Sequence, residues 1–112
     1  MVKSLKVIQK LEVLLMELLP ALRRFPKTER YTLAEKMEKV GLDVVESIYT
    51  ASYHPQLRNE SLNLARTRLH LLGFLLRISR RQGLLSEGLY EIISLKLVEI
   101  GKMLTGWEKA TR

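Results

Sequence analysis

Residues 59–83 read NESLNLARTRLHLLGFLLRISRRQG, and the spacing of three residue classes along them decides the fold. Asn59, Asn63, Arg66, His70, Gly73, Arg77 and Arg80 follow one another at alternating intervals of four and three, which on a helix places them on one face. Leu62, Ala65, Leu69, Leu72 and Leu76 form a second stripe, and Leu64, Leu71, Phe74 and Ile78 a third. A helix apolar around so much of its circumference has more than one side to bury. It is expected to pack inside a bundle and against another subunit as well. The narrow edge left over is cationic, and Glu60 is the segment's only acid.

Working outward, the 112 residues make one domain, 1–112, long enough to bury about two thirds of the surface its unfolded chain exposes. There is no cysteine, so disulfides and thiolate metal sites are excluded, and a reducing, cytoplasmic location is expected. A formal net charge of +7 favours a nucleic acid, an anionic membrane surface or an acidic protein as partner. That charge is segregated. Residues 1–30 carry seven cations and three acids, 31–56 two and four, 57–83 six and one, and 84–112 four of each. A chain made basic only for solubility has less reason to be sorted in this way. The longest apolar run, Leu71 to Leu76, is too short to span a bilayer, so no membrane association is expected.

Four helices are predicted. The first covers about Ser4 to Arg24, with Ile8, Leu11, Leu15, Leu18, Leu22 and Phe25 along its seam. Pro20 interrupts one backbone hydrogen bond and is expected to bend it, and Phe25-Pro26 ends it. The second begins at Thr28 or Thr32, the latter forming a capping box with Glu35, and closes at Tyr53-His54-Pro55. Its core stripe is Leu33, Met37, Val40, Val44, Ile48 and Ala51. The third ends at Gly83, a natural left-handed cap. Ser86 caps the fourth, whose stripe is Leu89, Ile93, Leu97, Ile100, Leu104 and Trp107. Gly41, Gly73 and Gly101 each fall inside a helix, where glycine costs about 1 kcal/mol relative to alanine. Close approach of a neighbouring backbone is the expected compensation. Short loops make the fold class all-α, an antiparallel four-helix bundle.

No catalytic constellation stands out. His54 and His70 have no second ligand at metal spacing, and neither a glycine-rich phosphate loop nor a nucleophile elbow is present. No metal, cofactor or catalytic residue is expected, and the chain does not read as an enzyme. The cationic residues are the candidates for function. Arg58, Arg66, Arg77, Arg80 and Arg81 are all arginine, whose planar fork suits bidentate contact with phosphate, and His70 lies among them. Arg23, Arg24, Lys27 and Arg30 extend the set, although Arg23 and Arg24 also suit the negative end of the first helix dipole. The plain alternative is a solvated face, some of whose arginines pair with the acidic second helix. With no RNA-recognition consensus or zinc finger, nucleic-acid binding would be led by shape and charge. Leu64, Arg68, Leu71, Phe74, Leu75 and Ile78 are the candidate interface through which copies of the bundle would associate into a homo-oligomer.

Several short motifs carry a resemblance. Leu19-Pro20, Phe25-Pro26-Lys27-Thr28-Glu29-Arg30-Tyr31-Thr32-Leu33, Leu84-Leu85-Ser86 and Glu99-Ile100-Gly101-Lys102-Met103-Leu104 with Trp107 occur in this order. Together they resemble the accessory variability protein of diversity-generating retroelements, over nearly the whole chain. The resemblance implies a four-helix protomer in a pentameric barrel that binds the element's reverse transcriptase and its template RNA and cDNA. In that role it supports adenine-directed mutagenic cDNA synthesis, with the polymerase supplying the active site. The second reading is a four-helix protein of the ribosomal RNA intervening-sequence type, which shares the Phe-Pro-Lys start. Those proteins typically continue with Asn-Ile-Ala-Glu-Gly, where this chain has Ser47-Ile48-Tyr49-Thr50-Ala51. A third is a structural oligomer that recruits a protein partner.

Overall fold

The computed structural model describes residues 2–111, and the elements formed by these residues are all helical. The four long helices are α1 (Val2–Arg23), α2 (Glu35–Tyr53), α3 (Arg58–Arg81) and α4 (Glu87–Ala110). Each packs chiefly on the two beside it in a ring, α1 on α2, α2 on α3, α3 on α4 and α4 back on α1. Cross-helix contacts fix the directions. Ser52 bonds Ser4, Arg68 bonds Ser47 while Ser79 bonds Met37, Arg66 pairs with Glu108 while Arg80 pairs with Glu87, and Lys10 and Glu17 pair with Glu99 and Lys96. Every adjacent pair is therefore antiparallel, in a body 43 × 24 × 19 Å.

The core is the four predicted stripes facing inward. Leu11, Leu18, Phe25, Met37, Val44, Ile48, Leu62, Leu72, Leu76, Ile93, Ile100 and Trp107 are all buried. Each such side chain adds roughly 1.5–3 kcal/mol of burial free energy, the main force closing the bundle. Ile8, Leu33 and Leu89 fall at the margins and are only half-buried.

Local signals decide where the helices stop. Gly83 takes φ 75°, Leu84 N–H donates to Ser79 O at 2.9 Å and Gly83 N–H to Arg80 O at 3.0 Å. These are the two bonds of a Schellman cap, which satisfy the last carbonyls of α3. Ser86 Oγ accepts from Leu89 N–H at 3.2 Å and caps α4 as expected. α1 runs unbroken through Pro20, which lies on the exposed side where water can reach the Met16 carbonyl it leaves unbonded.

The entry to α2 departs from the expected capping box. Pro26 occupies the N-cap position with ψ 151°, so the helix starts at Lys27 and neither threonine caps it. Thr28 Oγ1 donates to the Glu29 carboxylate instead, and Thr32 Oγ1 donates back to the carbonyls of Thr28 and Glu29 at 3.4 Å. A π-helical stretch, Arg30–Ala34, links this first turn to α2. Its wider winding keeps Ala34 in the core while leaving Tyr31 in solvent.

The close approach of a neighbouring backbone expected at Gly41, Gly73 and Gly101 is found at none of them. A Cβ on Gly41 would lie 2.9 Å from Leu15 Cδ2, so α1 crowds α2 there, by a side chain and not by backbone. Gly73 would meet only ordinary contacts, and Gly101 nothing within 4 Å. The last two line an open groove between α3 and α4, which is why neither is crowded by a neighbouring helix.

Candidate nucleic-acid interface

The bundle sorts the ten cationic candidates into three places. Since α1 and α3 both end where α2 and α4 begin, Arg23, Arg24, Lys27, Arg30, Arg80 and Arg81 gather at one end of the molecule. Arg58 lies at the opposite end, in the first turn of α3. Arg66, His70 and Arg77 run between them along the side of α3 that faces α4.

Four of the ten are engaged within the fold. Arg66 forms an ion pair with Glu108 of α4 and also bonds Asn63 Oδ1, with only 22% of its side chain exposed. Arg80 lies 3.4 Å from Glu87 and stacks its guanidinium 4.6 Å from the Tyr90 ring centre. Arg58 donates from Nε to Ala51 O at 2.8 Å and sits 5.9 Å from the Trp107 ring centre. Arg30 reaches Phe25 O at 3.5 Å, the limit of a hydrogen bond. These arginines hold helix ends and helix pairs together, α3 to α4 above all. From the second helix the partner is a backbone carbonyl, Ala51 O, and not one of its carboxylates.

The other six, Arg23, Arg24, Lys27, His70, Arg77 and Arg81, are exposed, and their side chains have no hydrogen bond or ion pair among the described residues. Their charges face water, so an incoming phosphate would displace solvent and counterions without breaking a contact of the protein.

The third apolar stripe of α3 is left in solvent, as its periodicity implied. Phe74 is 51% exposed, Leu64 and Leu71 are also exposed, and Leu75 and Ile78 are half-buried beside them. Arg68 crosses from this stripe to α2, where it donates to Asp43 O at 3.2 Å and Ser47 Oγ at 2.5 Å. It is bound inside the protomer at the edge of the exposed stripe.

A groove of about 700 Å³ lies between α3 and α4. Arg66, His70, Gly73 and Arg77 line one bank, as the reading of α3 supplied them. The other bank, Ser94, Val98, Gly101, Lys102, Thr105 and Lys109 of α4, was missed by the sequence reading. Its signal was present: Ser94, Val98, Gly101 and Thr105 alternate at intervals of four, three and four, a helix face kept free of bulky side chains. Among the described residues no three acidic or histidine side chains converge as a metal site would require, and no helix is long and apolar enough to cross a membrane.

Compared with known proteins, residues 5–111 match a family model described as bAvd-like. No curated protein matches the chain.

Proposed function

The chain belongs to the bAvd-like family, and from that membership we propose that it is an accessory variability protein, a non-catalytic subunit that binds a reverse transcriptase and its template RNA. In this reading it supports mutagenic cDNA synthesis in a diversity-generating retroelement, while the polymerase carries out the chemistry. The observation that carries the proposal is the match across residues 5–111 together with the exposed, unengaged cations Arg23, Arg24, Lys27, Arg77 and Arg81. RNA would lie against Arg23, Arg24, Lys27 and Arg81 at one end of the bundle, with His70 and Arg77 extending the path along α3. Arg58, Arg66 and Arg80, already engaged, would contribute field more than contact. The exposed stripe of Leu64, Leu71 and Phe74 would join copies of the bundle, and the resemblance gives their number as five. A ring would repeat the cationic end in every subunit and multiply its attraction for RNA.

The test is the salt dependence of RNA binding. Replacing Arg23, Arg24, Lys27 and Arg81 by glutamine is expected to weaken binding to the element's template RNA at least tenfold and to flatten the plot of log affinity against log salt. An unchanged slope would remove these side chains from the interface. Retention of the reverse transcriptase on immobilised protein tests the other half of the proposal.

A further inference from the structure

The groove between α3 and α4 has features that a solvated crevice does not need. It extends along α4 from Tyr90 to Lys109, which at 1.5 Å per residue is about 28 Å, or five helical turns. Its floor is apolar, with the buried Leu69 and Leu97, and its walls are low wherever Gly73, Gly101 and Gly106 stand. Arg77 and His70 rise on one bank and Lys102 and Lys109 on the other, and no carboxylate lines the groove among the described residues. A Cβ on Gly101 or Gly106 would meet nothing within 4 Å, so nothing in the protomer requires these helix positions to be glycine.

We propose that this groove is a docking site for an acidic amphipathic helix of a protein partner. Its length fits five turns of helix, and its glycines let a second backbone come close. Its apolar floor takes the hydrophobic stripe, while cations on both banks meet glutamates flanking that stripe. A single strand of nucleic acid suits the groove less well. Base stacking needs open aromatic faces, and of the two rings in the lining Tyr90 is already covered by the Arg80 guanidinium, which leaves the His70 imidazole alone. The site does not depend on the retroelement reading; it shares His70 and Arg77 with the path proposed for RNA but none of the four residues substituted in the RNA test.

The probe is a synthetic helical peptide of about 20 residues, with leucine and alanine on one face and glutamate on both flanks, titrated into the intact protein. A peptide with the same apolar face and lysine flanks is the control. The glutamate peptide is expected to bind at least tenfold tighter than the lysine peptide. Gly101→Leu fills the groove without touching the core, so it should weaken binding at least tenfold while the thermal midpoint stays the same or rises. Arg77→Glu with Lys102→Glu should reverse the peptide preference. The variant lacking Arg23, Arg24, Lys27 and Arg81 should bind the peptide as before. Equal binding of the two peptides, binding by neither, or full binding to Gly101→Leu would each overturn the proposal. So would Gly101→Leu losing RNA affinity in step with the peptide, or breaking an oligomer of the native protein; the groove would then belong to RNA or to a second copy.

Discussion

Arg66 reaches from α3 to Glu108, 42 positions further along the chain, and the pair is largely shielded, with side chains 22% and 14% exposed. Removing one partner leaves the other charge partly buried without this ion pair, which costs more than an exposed ion pair contributes. Arg66→Gln is therefore expected to lower the unfolding free energy by about 1–2 kcal/mol in urea titration. Arg81→Gln, on an exposed side chain, should change it by less than about 0.5 kcal/mol. The same pair marks the limit of what residues disclose singly. Ser86 and Gly83 could be read as caps because their chemistry acts within one turn of themselves. Whether Arg66 or Arg77 carries a free charge depends on which acid the opposite helix brings to it, and spacing along one helix is silent on that.

At the scale of the element, the two glycines of opposite kind give a paired prediction. Gly83 holds φ 75°, where a Cβ is strained, so Gly83→Ala should cost about 1 kcal/mol or slightly more. Gly101 is in ordinary helix with open space where a Cβ would go, so Gly101→Ala should gain up to about 1 kcal/mol. Thermal melts of the two variants should move in opposite directions. The four helices were legible because each apolar stripe keeps its period for four or more turns. The start of α2 was not, since Thr28, Thr32 and Glu35 satisfy the pattern of a cap equally well whether or not a helix has already begun. Pro26 decided the matter by starting the helix a residue before the first candidate, and the threonine hydroxyls turned to other partners.

For the molecule as a whole, the exposed stripe of α3 is the surface whose loss of water would stabilise an assembly. Phe74→Glu places a charge in its middle and should shift sedimentation toward the monomer, with the helical signal in circular dichroism unchanged. An unaltered sedimentation profile would remove this stripe from the subunit contact. The stripe was legible from the sequence because Leu64, Leu71, Phe74 and Ile78 could not share the buried face with Leu62, Leu69, Leu72 and Leu76. The groove was only half legible, since α3 showed its bank and the matching bank of α4 acquired meaning when the two were set side by side.

The ring of contacts, in which each helix meets chiefly the one before and the one after it, also bears on how the chain reaches this shape. Three of the four pairings are between consecutive helices, so the search for partners is short-range, and only α1 against α4 joins distant parts of the sequence. The single tryptophan, Trp107, sits in the last of these helices. Its emission thus reports the docking of α4 within the protomer, a unimolecular event whose rate is independent of protein concentration.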